Sequence, residues 1–261
     1  MAHERHGLFL VLVGFLVSFG FIRVSARLGR SPRVPWWPGS VVSDSGVHLH
    51  HLVWGICLML GAGTLGFALF HKSPGLEICA ALFGVGAGFT VDEFALWVYL
   101  DDVYWAKEGR ASIDAAVIAA TLMLLVLLGA QPFAVKGGNA AEIAVELSVA
   151  ALVIVTAAIC FAKQRLMHGV IGLFFFPIAI YGASRVGKPR SPWGRRFYRE
   201  RKLAKAERRF SPDRRTERFK DWFRDAVGGQ TDTVYQAKIA ESAAAGEAAA
   251  EVRERAERVL R

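Results

Sequence analysis

Three cysteines in 261 residues are too few and too scattered for a disulfide framework, and Cys57, Cys79 and Cys160 show no metal-ligand spacing. All three fall inside apolar runs, where cysteine acts as a small apolar filler. A nucleotide fingerprint is also missing. Gly84, Gly86 and Gly88 form a GxGxG string, but inside an apolar run with no strand before it. No nucleic-acid-binding motif accompanies the basic charge, so no specific nucleic acid is expected as a partner. No internal repeat is detectable, which removes one common signature of transporters. The first apolar run passes through Phe19-Gly20-Phe21-Ile22 into Arg23 without a small-x-small cleavage site, and reads as a retained anchor.

What is abundant is apolar sequence. More than half the residues are apolar (53%). Runs at 8–22, 52–70, 76–100, 111–130, 143–162 and 169–183 approach or reach the ~20 residues that cross a bilayer. The expected fold is all-α, a six-span transmembrane helical bundle with a basic, partly helical C-terminal tail. The first and last runs are short, so five spans plus a re-entrant segment is the alternative. Pro177 and Gly182 could break the last run, because proline removes a backbone donor.

Charge divides the chain in two. Residues 1–184 carry equal numbers of basic and acidic side chains, so the whole +9 excess lies in 185–261. The expected units are a transmembrane domain at 1–184 and a basic juxtamembrane and cytoplasmic tail at 185–261.

Let face A be the side reached after the first span. It receives Arg23, Arg27, Arg30, Arg33, Lys107, Arg110, Lys163 and Arg165. With six spans the opposite face receives Arg5, Lys72, Lys136 and the tail. The positive-inside rule then narrowly favours both termini in the cytoplasm and face A outside. If the last run only dips into the membrane, the tail joins face A and the orientation reverses.

The informative residues are ionisable groups set in apolar sequence. His48, His50 and His51 open the second run, and Asp92 and Glu93 lie deep in the third. Such groups are costly at membrane depth and mark functional sites. The breaker-rich turn His71-Lys72-Ser73-Pro74-Gly75 makes the two runs antiparallel neighbours. Residues whose numbers sum to about 146 should then share a depth, which brings histidines and carboxylates within about one turn of each other. Two imidazoles with one or two carboxylates suit zinc or another divalent transition metal. His48, His50, His51, Asp92 and Glu93 are the candidate ligands, with Asp92 or Glu93 alternatively a general base. Interhelical hydrogen bonding and a proton or ion path are the competing readings.

Three functions follow from different classes. One is a membrane protein of binding or structural type, another a metal-dependent intramembrane lipid hydrolase, and the third a proton- or cation-coupled transporter. Gly84 and Gly88, like Gly61, Gly63 and Gly66, form small-residue faces that allow close helix packing. Trp36 and Trp37, flanked by Pro35 and Pro38, suit a membrane interface, as do Trp54, Trp97, Tyr104 and Trp105.

Several strings together resemble an actinobacterial family of polytopic integral membrane proteins. They are Trp36-Trp37-Pro38-Gly39, Val47-His48-Leu49-His50-His51, Asp92-Glu93-Phe94-Ala95-Leu96, Asp102-Val103-Tyr104-Trp105, Glu108-Gly109-Arg110 and Ser191-Pro192-Trp193. The resemblance spans roughly residues 8–210; it implies the membrane architecture and no particular reaction. A looser similarity to intramembrane zinc hydrolases of the alkaline-ceramidase and adiponectin-receptor type departs from their pattern. Those have seven spans and a late HxxxH, whereas His168 is the only late histidine of this membrane domain.

The tail alternates Arg and Lys with apolar residues over 195–210. A juxtamembrane basic segment is drawn to anionic headgroups by ~1 kcal/mol per charge near the surface, so membrane lipid is the expected partner and the cell membrane the expected location. Ser211-Pro212 should open a helix that places Phe219, Trp222 and Phe223 on one face and closes at Gly228-Gly229.

Overall fold

The computed structural model describes residues 2–31, 34, 36, 37, 50–129, 139–237, 239–241, 244 and 246. The described elements are all helical: α1 (Ala2–Arg30), α2 (His51–Ala68), α3 (Gly75–Asp92), α4 (Phe94–Tyr99), α5 (Arg110–Leu127), α6 (Ala140–Ala162), α7 (Leu166–Phe174), α8 (Phe176–Ser184), α9 (Pro192–Phe197), α10 (Glu200–Arg209) and α11 (Arg215–Gly228). Five of them, α1, α2, α3, α5 and α6, are long and apolar enough to cross a membrane. Their outward faces carry bare apolar side chains such as Leu60, Phe67, Val145, Leu152 and Ile154, as a lipid-facing surface requires.

Lipid tails are as apolar as leucine, so burial of apolar surface does not hold these helices to one another; close packing and polar contacts do. Glycines set the approach. A Cβ at Gly84 would collide with the Val11 carbonyl, and one at Gly88 with Phe15 and Ser18, so α1 lies backbone-close along α3. On the other side of α3, a Cβ at Gly86 would stand 2.7 Å from the Gly55 carbonyl oxygen of α2. The expected small-residue face on α3 is therefore real. On α2, Gly55 makes the close approach, while Gly61 meets open space. Phe15 and Phe19 of α1 pack with Ala116 of α5 to complete the core.

The antiparallel register of α2 and α3 follows the expected sum: Gly63 faces Phe83 and Gly66 faces Cys79. The expected third span divides at Glu93 into α3 and α4, and α4 ends at Leu100 in the left-handed region, φ 53°. The break frees the Ala95 amide, which donates to Ser112 Oγ on α5 at 3.0 Å.

α6 starts with a capping box. Asn139 Oδ1 accepts from the amides of Ala141 and Glu142, and Glu142 returns a bond from the Asn139 amide. α6 packs on α7, α8 and α9. The sixth apolar run is helical too, but takes the form of a hairpin. α7 and α8 have nine residues each, about 14 Å, or half the hydrocarbon thickness. Gly172 meets Ala179 and Gly182 meets His168, so the two run antiparallel about Phe175. Pro177 sits in the first turn of α8, where its missing N–H costs nothing. The chain then returns to the end of α6, where the Lys188 amide donates to the Lys163 carbonyl at 3.1 Å.

With α7 and α8 folded back on each other, the tail lies at the end of the bundle where α5 starts. Arg5 lies against Gly129, past the far end of α5, whereas α11 docks on the start of α5. Arg224 grips Asp114 through two bonds, 2.7 and 3.2 Å. Arg110 pairs with Asp225, and Arg27 donates to the Ala226 carbonyl. Arg30 pairs with Asp232 and lies between the rings of Trp105 and Tyr235. α11 begins at Arg215, later than Ser211-Pro212 suggests. It stops at Gly229 (φ 81°) as expected, with Phe219 and Trp222 exposed.

Candidate functional site

The polar site forms where three helices end or begin at face A. α3 stops at Asp92 and passes directly to Glu93, both buried at 0% and 5% exposure. α2 opens at His51, with His50 just before it in extended backbone. His51 Nε2 lies 3.2 Å from Asp92 Oδ2, and its Nδ1 lies 3.5 Å from Glu93 Oε1. His50 Nδ1 is 3.4 Å from the same Glu93 oxygen. His51 also packs edge-on against Phe89, which fixes the ring plane. Four of the five candidate ligands, His50, His51, Asp92 and Glu93, thus come together. The fifth, His48, lies outside the described residues.

The residue missing from the sequence reading is Arg23. Its counting as a loop charge needs correction, because α1 continues unbroken to Arg30 and Arg23 is 4% exposed. Its Nε lies 2.6 Å from Asp92 Oδ1, and Nη2 donates to the Asp92 carbonyl at 3.3 Å. The guanidinium is covered by Phe19 and Tyr104, 5.2 and 4.6 Å from the ring centroids. A signal was present: Phe15, Phe19 and Arg23 recur every four residues on one helix face. Burial, with the charge of Asp92 next, pushes the Tyr104 phenol far above its ordinary value, so it stays neutral here. Tail residues Gly228 to Thr231 close over Arg23, Tyr104 and Ile113, leaving a void of about 10 Å³.

The other acidic residues near this face stay apart. Asp101 and Asp102 are exposed loop residues, and Asp114 is taken by Arg224. His168 belongs to a separate group beside Arg165.

One ligand atom each from His51, Asp92 and Glu93 lies within 4.8 Å of the others. The separations of 3.4 and 3.5 Å from Glu93 Oε1 to the two Nδ1 atoms are long for charge-assisted hydrogen bonds. Asp92 and Glu93 each face one ring nitrogen of His51. Comparison with protein-family models, curated proteins and solved structures gives no match.

Proposed function

We propose that this is a polytopic cell-membrane protein that binds a divalent transition metal of the zinc class at its tail-side face. His51, Asp92 and Glu93 supply the direct ligands; His50 lies beside Glu93, and Arg23 holds Asp92. The observation that carries this reading is that one ligand atom each from His51, Asp92 and Glu93 lies within 4.8 Å of the others. One imidazole and two carboxylates leave a coordination position open, at which a bound metal would supply Lewis-acid chemistry. Metal content of detergent-purified protein tests it. About one equivalent is expected, and its loss in His50→Ala/His51→Ala.

A second reading rests on the same ring. With both ring nitrogens facing carboxylates, His51 links Asp92 and Glu93 as a proton relay. Protein that holds no metal, even after loading with zinc, manganese or iron(II), supports the relay and removes the metal site.

The hairpin also supports one orientation. Face A gathers Arg27, Arg30, Lys107, Arg110, Lys163, Arg165 and the described part of the basic tail, against Arg5 and Lys72 opposite. The positive-inside rule then places face A, the metal cluster and the tail in the cytoplasm, beside anionic lipid. In intact cells, an impermeant thiol reagent should label Ser73→Cys and spare Ser31→Cys; the reverse pattern overturns the orientation.

A further inference from the structure

A second polar cluster lies where α6 leaves the bundle, and it contains cations without acids. Arg165 is 8% exposed. Its Nε donates to the Val186 carbonyl at 3.1 Å and its Nη1 points to His168 Nε2 at 3.4 Å. Its remaining N–H groups have no protein acceptor among the described residues. His168 stacks on Tyr181 at 5.9 Å, and the Arg185 guanidinium lies over that ring at 4.8 Å. α10 buries Ala206 completely, so Arg209, three residues on, shares its inward face and is half-buried. α7 begins here with no side-chain cap, and uncapped helix amides attract anions.

The charges confirm the imbalance. Burial and then Arg165, Arg209 and Lys220 hold the His168 imidazole below its ordinary value. Burial and then Arg209 lower Arg165. Among the described residues, no ion pair involves Arg165, Arg185 or Arg209; Lys220 pairs with Glu217. A buried guanidinium surrounded by other cations is stabilised by an anion.

We propose that Arg165, His168 and Arg209, with the opening amides of α7 and with Lys220 at the rim, bind one phosphate-bearing anion. The planar fork of arginine suits a phosphate's paired oxygens. The site lies just past Ala162, where α6 ends, which is headgroup level for a spanning helix. A phospholipid headgroup and a soluble phosphate offer the same chemistry. The site is independent of the metal cluster, and it concentrates the tail's general attraction to anionic lipid at one place.

The test is native mass spectrometry of the full-length protein in detergent, titrated separately with phosphatidylglycerol, phosphatidylcholine and inorganic phosphate. Arg209→Gln is the main variant because it removes no described hydrogen bond; Arg199→Gln, on an exposed tail position, is the control. One tightly held phosphatidylglycerol, weakened about tenfold in Arg209→Gln by loss of a charge-assisted contact and unchanged in Arg199→Gln, supports the site with lipid as its source. Tight inorganic phosphate with the same variant pattern, and no lipid preference, supports it with a soluble source. Equal weakening in both variants means diffuse attraction by the tail and overturns the site, as does the absence of any tight anion.

Discussion

Two polar clusters share one face of this protein and treat charge in opposite ways. Around Asp92, unlike groups meet: a buried arginine, two carboxylates and two imidazoles from three helices. Around Arg165, like charges meet, with Arg209 and Lys220 bearing on His168 and no carboxylate paired to Arg165. The first holds helices together because its charges are compensated within the chain. The second is left with positive potential for something outside the chain to satisfy. A buried ion pair is weak evidence for stability in itself, yet removing one partner is costly because the other remains charged and dry.

The sharpest way to break this contrast is to make the balanced cluster unbalanced. Arg23→Leu should cost about 3–5 kcal/mol, the range for stranding one member of a buried pair. Thermal unfolding in detergent measures the loss, and Arg23→Leu/Asp92→Leu should recover most of it. If the single and double variants unfold alike, Asp92 does not depend on Arg23.

A smaller effect should appear at the second cluster through pH. Burial and neighbouring cations lower His168 in the folded protein, so below its ordinary value of about 6.5 the unfolded chain binds a proton that the folded chain refuses. Stability should therefore fall as pH drops from about 6.5 toward the lowered folded value, and then level off. His168→Gln should flatten that part of the profile. Bound phosphate should do so as well, because an anion offsets the cations that lower the imidazole.

Much of the first cluster was legible because it depends on counting. A short turn between two apolar runs fixes which residues share a depth, and His51 beside Asp92 follows that count to within a few residues. Arg23 escaped because a charge after an apolar run reads as the end of a span, although its four-residue spacing from Phe15 and Phe19 placed it on the buried face. The hairpin was only partly legible. Pro177 and Gly182 marked a break, but composition alone does not distinguish a helix that crosses from one that turns back. The second cluster was not legible at all, since Arg165, His168, Arg209 and Lys220 converge only once α10 and α11 fold back on face A.

The order in which the chain is made gives the Arg23–Asp92 contact another meaning. The two residues are 69 positions apart, with the whole of α2 between them. A newly made α1 therefore carries a cation whose acceptor has not yet been synthesised, and an unpaired arginine is poorly tolerated in lipid. α1 reaches its final setting only when α3 arrives, so the earlier-made helix waits for the later one to secure it.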